Sequence, residues 1–469
     1  MSQGSNIFAT LPPTKLFFRC AIPAATMSVF GALYSVADGI FVGRFLGEDA
    51  LAAVNLITPI VLIAEALSSM VATGASVNIA MLLGRGDREA ASRLFSFAVK
   101  AIIAFSCMIG MMGLLFARQF VTLIAPGASE ETIRFAVEYL MVYSAFAPLI
   151  PVYFATDDFL RDCGKGRFGM VVGIATQAAN VIADFILIAV LHQGVVAAAA
   201  SSCVAIAAGS VITLFAFRKR RLDLCYVQGR PPARQLARIV ANGSSELFGS
   251  IAASVMSVIT NLFLLRYGGT PAVAAFSIVM YVDSIIGMLA FGVCDALQPA
   301  ISYCCGAKLY GRMRAIFSRV LVATVAVAVA SFLFMFLVGP QAAVLFVKPG
   351  EEELLALSVV GVELFSFSYL VGWIDLCFSS YFTALDRPVR SLVVSVSGVL
   401  VFPIAFIALL TPHFGLNGIW LSATVSGIAS GLFTLTLAKT LKPDLARADD
   451  PEVSRRGCGS GSSKLQPYG

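Results

Sequence analysis

The sequence predicts an all-α membrane protein of twelve transmembrane helices, in two parallel six-helix lobes related by a pseudo-two-fold axis along the membrane normal. The first observation behind this prediction is composition. Of 469 residues, 58% are hydrophobic and 13% are charged, and the mean hydropathy is +0.88. A soluble domain of this length needs far more charge to cover its surface. The second observation is that the two halves of the chain resemble each other.

The spans follow from apolar stretches that are each long enough to cross a hydrocarbon core of about 30 Å. Charged runs separate these stretches along the whole chain. In the first half the predicted spans are 15–44, 50–83, 92–117, 131–158, 168–191 and 194–217. In the second half they are 236–266, 271–305, 315–338, 352–384, 388–411 and 415–438.

The two halves align as a duplication of six spans. The segment RFLGEDALAAVNL, which begins at Arg44, aligns without gaps on RYGGTPAVAAFSI, which begins at Arg266, and this register pairs Gly84 with Gly306. HQGVVAAAASSC, from His192, aligns on HFGLNGIWLSAT in the second half. An even number of spans keeps the second copy facing the same way as the first. Parallel repeats of this kind are a transporter arrangement, in which substrate passes between the halves.

The duplication sets the predicted domain boundaries. Residues 1–220 form the first lobe, and residues 236–441 form the second. The segment 221–235 between them is expected to be a cytoplasmic linker. The Gly/Ser-rich tail, 442–469, is expected to be disordered and cytoplasmic.

The distribution of basic residues predicts the orientation. The loops on one side hold nineteen Lys and Arg residues, whereas those on the other side hold five. By the positive-inside rule the first side is cytoplasmic, and both termini lie there. The net charge of +6 reflects this asymmetry. Because the basic residues are divided among short loops, a nucleic-acid partner is not expected.

Two acids lie inside apolar spans of the first half at a matching depth. Asp38 and Asp184 are each about seven residues from the outer end of their span. Asn180 precedes Asp184 by four residues and so shares its helix face. A carboxylate costs on the order of 3 kcal/mol or more to insert into a membrane, so a purpose is expected. Such a set could share a proton or bind a small cation such as sodium; the alternative is hydrogen bonding to neighbouring helices.

The spans contain further acids. Glu246, Asp295 and Asp375 all fall nearer the cytoplasmic ends of their spans, and they are candidates for a second polar cluster that binds cationic substrates. Glu65 in span 2 is isolated at mid-depth. It is either a cation-contacting residue or an acid held by Ser and Thr neighbours.

One motif points to a different chemistry. The segment DDFLRD, from Asp157 to Asp162, looks like the acidic patches that bind magnesium pyrophosphate in membrane prenyltransferases. Those enzymes need two patches, and the matching part of the second half reads YFTALDRPVR. The preferred interpretation is therefore a solvated end of span 4 in which Arg161 offsets the acids. The sequence also has no P-loop, so direct use of ATP is not expected.

With these residues placed, the chain resembles the multidrug and toxic compound extrusion (MATE) family, over about residues 10–442. The resemblance rests on four segments: ADGIFVGRFLG in span 1, LLGRGDREAA after span 2, NVIAD in span 5 and QPAISYCCGAKLYGRMR closing span 8.

The resemblance implies a function and a site. It implies export of bulky, often cationic and amphipathic compounds in exchange for sodium ions or protons, by alternating access and without another cofactor. It places the coupling cation on Asp38, Asn180 and Asp184, which would be the metal ligands if the ion is sodium. A span 6 hydroxyl, Ser201 or Ser202, is also implied, and Ser202 is taken as the site residue.

The resemblance also bears on the second lobe and on the setting of the protein. Other branches of the family use carboxylates of spans 7 and 10, for which Glu246 and Asp375 are the candidates. The implied partners are organic cations or drugs and the lipid bilayer. The implied protein is a monomer in the bacterial cytoplasmic (inner) membrane.

Two alternatives to the antiporter stay open at this point. A flippase of a lipid-linked saccharide would line its cavity with cationic residues to bind pyrophosphate, whereas the spans here hold mainly acids. An intramembrane prenyltransferase would use Asp157 and Asp158, and it would need a second acidic patch.

Overall fold

The computed structural model describes residues 7–124, 129–218, 222–229, 231–344, 347 and 351–440. The predicted disordered tail lies outside the described residues, as do the basic linker residues 219–221 and 230 and the outer-loop Lys348. The described residues form helices joined by turns and short loops.

The first half comprises eight helices: α1 (Ile7–Thr10), α2 (Pro13–Phe41), α3 (Glu48–Gly84), α4 (Arg88–Ile124), α5 (Glu130–Phe146), α6 (Ile150–Asp162), α7 (Gly166–Asp184) and α8 (Val195–Arg218). The second half comprises nine: α9 (Ala233–Asp295), α10 (Gln298–Gly306), α11 (Tyr310–Leu337), α12 (Gly339–Val344), α13 (Glu352–Ser366), α14 (Tyr369–Ala384), α15 (Pro388–Val396), α16 (Phe402–Phe414) and α17 (Leu416–Lys439). Within the described residues, three π-helical segments interrupt the spans, at Val42–Leu46, Phe185–Val190 and Ser397–Val401.

These helices supply the predicted spans. Ten segments of the described chain are each long and apolar enough to cross a membrane. Two further pairs, α5 with α6 and α13 with α14, are bent by 47° and 53° and bring the number to twelve when each pair is one span. The bent pairs form the fourth span of each half, so the irregularity is repeated along with the sequence. The twelve-helix fold is confirmed.

The backbone also repeats at the turn between the first two spans of each half. Gly47 has φ 92° and Gly269 has φ 65°, and the register that aligns the two halves pairs these glycines with each other. A positive φ is strained for a residue with a side chain, so glycine is favoured at both turns. Gly269 breaks the 63-residue helix α9 into spans 7 and 8.

The first lobe packs around a core of large side chains from α3, α4, α6 and α8. Phe95, Phe159 and Phe217 are buried there, and the Phe95 ring centroid is 5.3 Å from Phe159 and 4.6 Å from Phe217. The linker docks on this core. Its residue Leu224 is fully buried, and the Val227 backbone N–H donates to Ser96 Oγ at 2.9 Å. The linker therefore packs against the end of α4 that lies on the side of the arginine-rich loops.

The lobes meet along the halves of their helices that lie toward the arginine-rich loops, called the basic side below. There α3 packs on α9 and α10. Glycine permits the contact. A Cβ atom on Gly74 would overlap the Ile239 carbonyl, and one on Gly243 would overlap the Met70 carbonyl. Near the same level, a Cβ atom on Gly292 would lie 2.5 Å from Ser28 Oγ of α2. These contacts hold the two lobes together on the side whose loops are rich in arginine.

Candidate cation site and substrate cavity

The structure places Asp38 of α2 and Asp184 of α7 on two helices that pack together, close enough for their carboxyl groups to interact. Asp184 is the last residue of α7, and a π-helical segment begins at the next residue, Phe185. The other π-helical segment of this region begins at Val42, four residues after Asp38. Such segments often occur at functional sites, because the extra residue in the turn redirects side chains. The two acids thus converge from neighbouring helices, each beside a local irregularity.

Hydroxyl and amide groups surround this pair. In the amide orientation that satisfies both neighbours, Asn180 Nδ2 donates to Asp184 Oδ2 at 3.0 Å and Oδ1 accepts from Ser202 Oγ at 2.9 Å. The Ser201 hydroxyl donates to Asp184 Oδ1. Tyr34 Oη lies 3.3 Å from Ser202 Oγ. These contacts thus come from hydroxyl groups and from an amide that donates to Asp184 and accepts from Ser202.

This arrangement limits the charge that the site can carry. Asp184 is fully buried, and Asn180 is 3% exposed. Two carboxyl groups can share a hydrogen bond only when one of them holds a proton. When the proton leaves, two like charges face each other in a buried setting, which is unfavourable unless another cation takes its place. Carboxylate, carboxamide and hydroxyl oxygens are ligands that a hard cation accepts.

Two contacts of this site were not selected from the sequence. Ser201, rather than Ser202, is the hydroxyl that touches a carboxylate. The sequence shows two adjacent serines on α8, but it does not show which of them faces Asp184. Tyr34 was missed altogether, although it precedes Asp38 by four residues and so shares its helix face.

The second lobe contains an open cavity of about 730 Å³ with acidic and aromatic side chains in its walls. Its lining includes the four acids Glu246, Asp283, Asp295 and Asp375, together with Met256, Met280, Phe276, Phe365, Tyr369, Trp373 and Trp420. Adaptable thioether and aromatic surface suits varied apolar compounds, and aromatic faces attract organic cations. The expected grouping of Glu246, Asp295 and Asp375 is thus found in the lining of one cavity.

Within this cavity, two of the acids are held by hydroxyl groups. Asp375 accepts hydrogen bonds from Ser430 and from Thr434 Oγ1, the latter at 2.6 Å. Asp283 accepts one from Tyr369 Oη at 2.7 Å. These bonds fix the carboxylate directions, and they compensate part of the cost of burial.

The prediction that Glu65 is isolated is wrong. Tyr143 Oη donates to Glu65 Oε1 at 3.4 Å. Glu65 also lines a cavity of about 250 Å³ with Glu246 and Asp295. The reason is tertiary: α3 runs along the lobe interface, so an acid of span 2 faces acids of spans 7 and 8.

The interpretation of DDFLRD as a solvated helix end is also wrong, although Arg161 does offset the acids. Asp162 is fully buried and accepts a hydrogen bond from Ser76 Oγ at 3.0 Å. Arg161 lies 3.2 Å from Asp157 and 2.5 Å from Asp158. The motif is therefore an ion-paired cluster inside the protein, with Asp157 and Asp158 already engaged.

A duplicated bundle with an acidic cavity and a separate buried carboxyl pair defines a class of protein, the secondary membrane transporters. The family profile named MatE matches residues 23–186 and 247–409, one match in each lobe. The chain belongs to the MatE family of membrane transporters and is not an enzyme. The prenyltransferase alternative is thereby excluded.

Curated relatives agree over nearly the whole chain. The multidrug export protein MepA of Staphylococcus aureus (strain bovine RF122 / ET3-1) is 23% identical over 442 residues, which covers 93% of this chain and 96% of the relative. MepA of Staphylococcus saprophyticus subsp. saprophyticus is 25% identical over 442 residues, which covers 92% and 96%.

Solved structures share the fold. One is an outward-facing conformation of a multidrug resistance MATE family transporter of the MOP superfamily, with TM-score 0.86, 20% identity and coverage of 95% of this chain and 100% of that one. Another is a MOP superfamily transporter from Pyrococcus furiosus Vc1 (DSM3638), with TM-score 0.88, 20% identity and coverage of 96% and 100%.

Proposed function

We propose that this transporter exports bulky, often cationic amphipathic compounds in exchange for sodium ions or protons, with Asp38 and Asp184 as the coupling pair. The observation that carries the proposal is the proximity of these two carboxyl groups on packed helices, where Asn180 and Ser201 also contact Asp184. A contact of this kind is stable with one bound cation and repulsive without one. It therefore makes the conformation of the first lobe depend on ion binding.

The second-lobe cavity supports the choice of substrate class. Four carboxylates in a wall that also holds aromatic rings and two methionines attract a positive charge and accept a large apolar body. A flippase substrate carrying pyrophosphate would instead meet carboxylates of its own sign. The geometry therefore favours the organic-cation exporter over the flippase of a lipid-linked saccharide.

Coupling requires the ion to bind the two lobe arrangements unequally. In the proposed cycle, substrate enters between the lobes from the cytoplasm, and the lobes then rock to open outward. A proton or sodium ion binds at Asp38 and Asp184, with Asn180 and a hydroxyl of Ser201 or Ser202 completing the site. Neutralising the pair draws α2 toward α7 and favours release of the substrate.

The arginine-rich loops support the proposed orientation. They would lie in the cytoplasm, with both chain termini on that side. The bacterial relatives support the proposal that the protein lies in the cytoplasmic (inner) membrane of a bacterium and exports compounds outward.

The test is efflux of a cationic dye from proteoliposomes under an imposed sodium or proton gradient. We expect Asp38→Asn and Asp184→Asn each to abolish gradient-driven efflux, because an amide cannot bind either ion by charge. Asp87→Asn is the matched control, since Asp87 lies in an exposed turn of the same lobe. Undiminished coupled efflux in either site variant would sink the proposed coupling pair, and the effective gradient identifies the ion.

A further inference from the structure

Arg161 joins the two lobes through a set of three carboxylates. Within α6 its guanidinium contacts Asp157 at 3.2 Å and Asp158 at 2.5 Å. Across the lobe interface, Arg161 Nη1 donates to Asp295 Oδ2 of α9 at 3.2 Å. Both side chains of this inter-lobe pair are about three-quarters buried, since their exposed fractions are 26% and 23%. The pair is therefore shielded from water, and solvent screens it less than a surface ion pair.

Asp295 stands where three cavities meet. It lines the second-lobe cavity of about 730 Å³. It also lines the cavity of about 250 Å³ that contains Glu65 and a cavity of about 230 Å³ that is lined by basic-side residues such as Lys165. Arg161 lines the two smaller cavities. A substrate that moves from the basic side to the second-lobe cavity of about 730 Å³ thus passes the Arg161–Asp295 pair.

Separation of the lobes leaves the two partners in unequal states. Arg161 keeps Asp157 and Asp158, which belong to its own helix, so its charge stays compensated. Asp295 loses the guanidinium of Arg161 as its partner. It then faces Glu246, which lines the cavities of about 730 Å³ and about 250 Å³ together with Asp295. Two like charges in a poorly hydrated wall are unfavourable, so opening costs free energy unless a positive charge replaces the guanidinium.

We propose that the Arg161–Asp295 pair is the gate between the substrate cavity and the basic side, and that a cationic substrate opens it by replacing Arg161 as the partner of Asp295 and Glu246. This inference rests on the proposed export of organic cations. In the absence of substrate the guanidinium occupies the position of the substrate charge and holds the lobes together. A neutral compound lacks this effect, so the gate also selects for charge.

Hydrogen exchange of the full-length protein in detergent measures the gate directly, without any ion gradient. The reporting segments are 80–87 and 300–309, where the basic ends of α3 and α10 pack across the interface. In the wild type, tetraphenylphosphonium should raise exchange in both segments severalfold. Asp295→Asn should show raised exchange without the cation and no further response to it.

Asp157→Asn is the matched control. It removes a carboxylate at the same 3.2 Å distance from Arg161, but within one helix rather than across the lobes. Its exchange without the cation should not rise above that of the wild type, because the inter-lobe pair between Arg161 and Asp295 is retained. Asp295→Glu should restore the wild-type behaviour, which shows that the Asn variant acts through lost charge rather than misfolding.

The proposal is overturned if Asp295→Asn exchanges like the wild type, or if Asp157→Asn exchanges like Asp295→Asn. A wild type that does not respond to tetraphenylphosphonium overturns the substrate-driven opening, even when Asp295→Asn is open. Failure of the coupling pair is distinguishable from these results, because it appears as efflux unaffected by Asp38→Asn while the exchange measurements stay as expected.

Discussion

Gly84 of α3 and Gly306 of α10 lie against each other's helix across the pseudo-two-fold axis. A Cβ atom on Gly84 would overlap the Tyr303 carbonyl, and one on Gly306 would overlap the Met81 carbonyl. The register that aligns the two halves pairs these glycines with each other, and it also pairs Met81 with Tyr303. The axis therefore passes through this contact. Here the backbones of α3 and α10 touch directly, on the side of the protein with the arginine-rich loops.

The first prediction concerns this contact. In Gly84→Ala or Gly306→Ala the new methyl group must push α3 and α10 apart, because a backbone carbonyl cannot rotate away as a flexible side chain can. Overpacking of this kind costs about 1–3 kcal/mol. We expect a lower thermal midpoint of the purified protein for both variants. Gly311→Ala is the control, since a Cβ atom there meets no heavy atom within 4 Å; an equal midpoint in all three variants would contradict the tight contact.

The second prediction separates the adjacent hydroxyls of the coupling site. Ser201 donates directly to Asp184, whereas Ser202 contacts Asn180 and Tyr34. A hydrogen bond to a charged group contributes about 1.5–3 kcal/mol, and one between neutral groups contributes about 0.5–1.5 kcal/mol. Ser201→Ala should therefore change the apparent affinity for the coupling ion more than Ser202→Ala does. The measurement is the ion concentration that gives half-maximal efflux, and the reverse order would rule out Ser201 as the dominant hydroxyl.

The third prediction concerns Asp375 in the substrate cavity. A Cβ atom on Gly398 would lie 2.7 Å from Asp375 Oδ2, so Gly398→Ala must turn this carboxylate away from its present direction. We expect binding of tetraphenylphosphonium, measured by titration calorimetry, to weaken severalfold. Gly372→Ala is the control, because Gly372 lines the same cavity and has no atom within 4 Å of an added Cβ. Equal affinities for the two variants would remove Asp375 from the substrate site.

Much of the fold was readable from the sequence because the bilayer restricts the choices. Twelve apolar spans and the internal repeat were enough to predict two parallel lobes, and Gly47 and Gly269 mark the same turn in both. The depth of Asp38 and Asp184 could also be predicted, since depth depends only on position along a helix.

Helix rotation and lobe contact could not be predicted in this way. Ser201 and Ser202 differ by about 100° around α8, and the pattern of apolar residues on this helix is too uniform to orient them. Arg161 was visible as an offset to its local acids, whereas Asp295 lies in the other half of the chain. Only the approach of the two lobes in the folded protein brings them together. The same limit explains why Glu65 was predicted to be isolated.

The last prediction concerns the short N-terminal helix α1, which contacts both lobes on the basic side. Phe8 is 1% exposed, and its ring centroid lies 5.6 Å from that of Tyr303 in α10. Arg312 of α11 donates from Nε to the Phe8 carbonyl oxygen at 2.5 Å. On the other side, Ile7 packs against Gly164 of the first lobe. Side-chain packing and one guanidinium thus hold α1 on both lobes.

Phe8→Ala should release this helix, because truncation of a buried phenylalanine costs about 3–5 kcal/mol and so few residues in α1 cannot offset it. Released chain is open to protease, so we expect faster tryptic cleavage at Lys15 in the full-length protein, read by mass spectrometry. Arg312→Gln should act in the same direction but less strongly. Phe18→Ala serves as the control because Phe18 is 54% exposed. Cleavage of Phe8→Ala at the wild-type rate would show that contacts other than the Phe8 ring anchor α1.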